Sequence, residues 1–133
     1  MQPTEEQFNI FVPVLMTYLQ KAATLSDEVR TAHKNHVVKQ KEDPDFKAEC
    51  DAETVANFEL ADVDKDGKLN LEEFLAFMRL IEQSFVTRTG GTVPTTDDDN
   101  KATYEATNTL SDGDGVTLED YLNSKKLYAA IMQ

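Results

Sequence analysis

Apolar positions recur at three- and four-residue intervals along most of the chain. Phe8, Phe11, Val12, Leu15, Leu19 and Ala22 predict an amphipathic helix over residues 5–23. Thr4-Glu5-Glu6-Gln7 starts it as a capping box, with Gln7 reaching back. Pro13 interrupts the pattern. Inside a helix it removes a hydrogen bond and clashes four residues back, at about 3 kcal/mol. Residues 5–23 are therefore either one kinked helix or a short turn followed by a new helix at Pro13. The stripe reads as core, since the opposite face is thin in the Lys and Arg that a membrane-surface helix carries. Thr24 and Ser26 offer caps for a second helix over about 27–41, sparse in apolar positions (Val29, Ala32, Val37, Val38). Glu42-Asp43-Pro44-Asp45 breaks it, because proline disfavours helix at the residue before it.

Helical periodicity resumes from Phe46 to Ala61, with Asp45 or Asp51 as caps and Val55, Phe58 and Ala61 on one face. Phe74, Phe77, Met78 and Ile81 mark another helix over about 71–85. Residues 86–100 hold Gly-Gly, Pro and repeated Thr, and read as a linker. Asp97 to Asp99 suit the N-terminus of a helix over 98–108, where negative charge meets the positive end of the dipole. Three adjacent acids do not converge on an ion without a wrapping loop. Leu118, Tyr121, Leu122, Leu127 and Tyr128 supply a last apolar face. The predicted fold class is all-α.

Between the helices at 46–61 and 71–85 lies DVDKDGKLNLEE, residues 62–73. Asp62, Asp64 and Asp66 occupy its first, third and fifth places, Gly67 the sixth, Asn70 the ninth and Glu73 the twelfth. This satisfies every specified place of the D-x-[DN]-x-[DN]-G-x5-E calcium-loop pattern. Ca²⁺ is a hard cation that takes six to eight oxygens at about 2.3–2.6 Å, and a short loop supplies them by winding around the ion. The three aspartates would each give a carboxylate oxygen, Lys68 its backbone carbonyl, Asn70 an oxygen directly or through water, and Glu73 both of its oxygens. Gly67 permits the sharp bend. Residues 51–84 thus resemble an EF-hand of the calmodulin and centrin superfamily. The resemblance implies a helix-loop-helix that pairs with a second copy through a short β-bridge. Leu69, at the eighth place, would make that bridge.

A second copy is visible: GVTLEDYL echoes GKLNLEEFL, so residues 98–131 read as a degenerate EF-hand. Val116 is the natural partner for Leu69. The ligand register does not close. With Val116 eighth and Asp120 twelfth, Asp114 takes the glycine place and Thr109, Ser111 and Gly113 the first, third and fifth. Reading Asn108 to Glu119 puts Leu110 third, and reading DGDG as places three to six leaves the loop one residue short. Asp112, Asp114 and Asp120, or Glu119, remain candidates for a weak second site. An Asp at the last place reaches less far than Glu and lowers the coordination number toward the six that Mg²⁺ takes. The expected organisation is an EF-hand pair over 45–133 preceded by a helical extension over 1–44. That extension could be a ruined helix-loop-helix without acid-rich loop or glycine, and it could cover the groove of the calcium domain.

Composition adds limits. The chain has 133 residues and a formal net charge of −12. Nucleic acid, which needs clustered Lys and Arg, is excluded as an expected partner. Acidic excess fits cation binding and basic peptides. One cysteine, Cys50, forms no internal disulfide and implies a reducing, cytoplasmic setting. No apolar run reaches 18 residues, so no transmembrane helix is expected. The start, MQPTEEQF, lacks the positive region of a secretory signal. His33 and His36 read as solvated rather than ligating, for want of partners nearby.

No G-x-S-x-G, P-loop, HExxH or CxxC motif occurs, so an enzyme is not expected. The resemblance implies a Ca²⁺ sensor or modulator, with Mg²⁺ as a competitor and a target protein or peptide helix as partner. In sensors of this kind Ca²⁺ opens a helix pair onto a Met-rich groove. Phe74, Phe77, Met78 and Ile81 would line one wall, while Met16 and Met132 lie elsewhere. The alternatives are a buffer or metal-stabilised module without a target, or a secreted calcium-stabilised interaction module.

Overall fold

A computed structural model describes residues 3–111 and 113–131, and all structural statements refer to these. They form six α-helices: α1 (Glu5–Ala22), α2 (Asp27–Glu42), α3 (Pro44–Ala61), α4 (Leu71–Thr89), α5 (Asp97–Asn108) and α6 (Leu118–Ile131). Local chemistry accounts for most of their ends. Thr4 and Gln7 cap each other at α1, Ser26 accepts from Val29 N at α2, and Thr96 with Asp99 makes a capping box at α5. Gly90, in the left-handed conformation (φ 86°), stops α4.

Of the two alternatives at Pro13, the single helix holds, with Pro13 inside α1. Two local expectations are corrected. The break before α3 is one residue, Asp43, whose carboxylate accepts from Asp45 N and Phe46 N. Asp43 is thus the cap in place of Asp45 or Asp51, and Pro44 sits at the first helical position, where its missing N–H costs nothing. Helix α4 runs four residues past the predicted end to Thr89. Arg88 is held there by Glu53 of α3 at 2.9 Å, and Thr89 Oγ1 donates to Phe85 O.

Two apolar clusters hold the helices. One gathers Phe58 and Ala61 of α3, Phe74 and Phe77 of α4, Tyr121 of α6, and Leu69 and Val116 from the two loops. Its rings meet edge-on: Phe77 lies 5.8 Å from Phe58 and 4.8 Å from Tyr121. Leu69 and Val116 exchange both backbone hydrogen bonds, at 2.8 and 3.0 Å, in an antiparallel bridge. The second cluster seats α1: fully buried Phe11 packs with Ala106 of α5 and Leu127 of α6, edge-on to Tyr128 at 5.4 Å. Lys21 at the end of α1 pairs with Asp99 at the start of α5.

Helix α2 has no fully buried residue and docks through its half-buried histidines. His33 Nε2 meets Gly91 O at 2.8 Å, and both rings pack on Phe85 of α4, at 5.6 and 5.5 Å. The histidines are therefore not simply solvated. His36 also lies edge-on to Phe46 of α3, at 5.4 Å.

Candidate metal centre

The loop between α3 and α4 is shaped from within. Asp62, at the C-terminus of α3, accepts from Gly67 N through Oδ2 at 3.0 Å. Asp66 Oδ1 accepts from Lys68 N at 3.0 Å, and Asp64 Oδ1 from Asp66 N at 3.3 Å. Gly67 takes φ 81°, the left-handed region that a side chain disfavours. Lys65 also lies there, at φ 57°, a second tight turn that the spacing of acids did not reveal.

Glu73 enters from the first turn of α4 and closes the loop. Its Oε2 accepts from Val63 N at 2.9 Å and its Oε1 from Asn70 N at 3.0 Å, while Asn70 Oδ1 accepts from Glu73 N at 2.9 Å. One carboxylate thus ties the start of the loop to its end. In Asn70, the capping bond already occupies the side-chain oxygen. Lys68 sends its ammonium toward Asp114 of the other loop, at 3.5 Å.

Asp62, Asp64, Asp66 and Glu73 each offer an oxygen, and these oxygens lie within 4.8 Å of one another. Asp62 and Glu73 are buried, while Asp64 and Asp66 face solvent. Asp62 Oδ1 is buried without a hydrogen-bond partner. A buried carboxylate oxygen left bare is costly unless something positive meets it. The crowding also divides the outer pair. Desolvation and contact with Asp66 and Asp62 push Asp64 above its ordinary range, whereas the Lys68 N–H holds Asp66 below it. An all-oxygen donor set of this kind fits a hard divalent cation.

The second loop gathers no comparable set among the described residues. Asp120 is buried and spends Oδ2 on Thr117 N at 3.1 Å, while Thr117 Oγ1 accepts from Asp120 N. Asp114 is exposed and faces Lys68. Asp112 lies outside the described residues. Asn108 instead holds this loop, with its amide bonded to both Gly113 O and Gly115 N at 3.0 Å. None of the three registers open to the sequence describes this closure. It ties the end of α5 to Gly113 and Gly115, and the one signal for it was an Asn at the end of a predicted helix.

Among the described residues no helix is long and apolar enough to cross a membrane. Residues 56–81 match the family model for the EF hand domain, a span that takes in the last turns of α3, the acidic loop and the first half of α4. No curated protein and no solved structure gives a significant match to the chain.

Proposed function

Because the chain is an EF-hand protein, we propose that it binds Ca²⁺ at residues 62–73 and acts as a calcium-dependent modulator of a protein partner. Asp62, Asp64, Asp66 and Glu73 would hold the ion through carboxylates, Lys68 through its carbonyl and Asn70 through a water. The observation that carries this is the convergence of four carboxylates, one of which, Asp62, keeps a buried oxygen without a hydrogen-bond partner. Ca²⁺ supplies the positive charge that this oxygen lacks. Mg²⁺ competes poorly, since it demands near-ideal octahedral geometry and gives up its waters reluctantly. The partner is a basic or amphipathic helix, in keeping with the net charge of −12. We place the protein in a reducing, cytoplasmic setting on the strength of its single cysteine, and read it as a binding protein rather than an enzyme.

One observation favours a second reading, a buffer or metal-stabilised module. Glu73 is fixed by the loop's own amides, accepting from both Val63 N and Asn70 N. A clamp residue held by the loop's own amides drives less helix opening than one that must swing in from solvent. Calorimetric titration with Ca²⁺ and Mg²⁺, run beside binding of an apolar-surface dye, separates the two. Calcium-dependent dye binding supports the modulator. Tight calcium binding without it leaves the buffer, and no calcium binding refutes both.

A further inference from the structure

The exit halves of the two loops do the same work. Leu69 and Val116 pair across the bridge, Asn70 and Thr117 cap the following helices, and Glu73 and Asp120 each return an oxygen to the capping residue's N–H. The entering halves differ. Asp62 bonds one loop amide, Gly67 N, and leaves Oδ1 bare. Asn108 bonds in two senses: Oδ1 accepts from Gly115 N, and Nδ2 donates to Gly113 O, both at 3.0 Å. A carboxylate can only accept. Holding a backbone carbonyl needs something positive, which a calcium loop takes from its ion and this loop takes from the Asn108 amide.

What Asn108 holds touches the calcium loop. Gly115 has φ 127°, and a Cβ there would lie 3.0 Å from Lys68 Cβ and 3.2 Å from Leu69 O. The next residue, Val116, makes both bridge bonds to Leu69. Lys68 also faces Asp114.

We propose that the second loop is a metal-free clasp closed by Asn108, and that it holds the Lys68–Leu69 backbone ready for the ion, making Asn108 a positioning residue for the calcium site. The inference rests on residues 62–73 being a Ca²⁺ loop. It also explains why a loop whose described residues gather no carboxylate set keeps its form: the amide supplies internally the cross-link that an ion would supply.

The test uses the full chain. Amide hydrogen exchange in chelator reads the clasp without calcium: the Gly115 N–H is protected in the wild type, and Asn108→Ala speeds its exchange at least about tenfold. Calcium calorimetry reads the coupling. The wild type binds one ion, and Asn108→Ala binds one ion at least about fivefold more weakly, the low end of coupling between linked sites. Asn108→Asp, which keeps the acceptor and loses the donor, does not restore wild-type affinity. An unprotected Gly115 amide in the folded wild type overturns the clasp, and needs no variant. Two ions bound to the wild type overturn it as well. A folded Asn108→Ala protein with unchanged affinity overturns the coupling. If Glu73→Gln matches the wild type in the same titration, the calcium-loop reading fails, and the exchange result still decides the clasp.

Discussion

Replacing Glu73 by Gln removes one charge and one acceptor from the centre of the proposed site while keeping the shape of the side chain. Gln at the third helical position still completes a capping box, so its remaining oxygen can accept from Asn70 N as Oε1 does now. Helix α4 should therefore form. The Val63 N–H, which donates to Oε2 at 2.9 Å, would face an NH₂ group instead. A hydrogen bond to a charged group contributes about 1.5–3 kcal/mol, so the ion-free loop loosens at that end. The larger effect is on the ion. Removing a unit charge about 2.4 Å from a divalent cation costs about 3 kcal/mol even at the dielectric of bulk water. That corresponds to roughly a hundredfold in affinity. Relief of repulsion among the remaining acids offsets part of it, so a tenfold loss is the floor. Calorimetric titration, with far-ultraviolet circular dichroism to confirm helix content, is the assay. An unchanged calcium isotherm in a folded Glu73→Gln protein would refute the assignment of this loop.

Changing Asp112 and Asp114 together to Asn should leave calcium affinity nearly intact; loss of half the bound calcium would show a metal site in the second loop. Phe11→Ala, which empties a fully buried position between α1, α5 and α6, should cost about 3–5 kcal/mol, read as a lower urea midpoint or as early proteolysis of α1. His36 carries a pH prediction. Its pKa is lowered from the ordinary 6.5, first by desolvation and then by Arg88, His33 and Lys125, with Glu53 opposing. A lowered folded value means that its contribution is fully present above pH 6.5 and is lost as pH falls through the folded value. Wild type should therefore lose more stability than His36→Gln between pH 7.5 and 5.5, and equal losses would remove His36 from the account.

The acidic loop was legible because everything that shapes it is local. Asp62 to Glu73 reach one another within twelve residues, and their register comes from side chains bonding amides two to five places on and from one glycine. Helix starts at Thr4, Ser26 and the Asp97 run were legible for the same reason, since a cap acts over three residues. The stops were read less well. Pro13 left two alternatives open at α1, and α4 ran four residues past its expected end, where Arg88 meets Glu53 of α3. The two histidines looked solvated in sequence; only the approach of Phe85 and Gly91, more than forty residues away, made them the docking face of α2. The closure at Asn108 was hidden for a related reason. Its bonds fit no ligand pattern, and they gain meaning only beside Lys68 and Leu69. The sequence by itself determined an all-helical chain and one loop of converging carboxylates, because those depend on contacts a few residues long. Tertiary structure alone decided where α1 and α2 lie and what closes the second loop, because those depend on which distant surfaces meet.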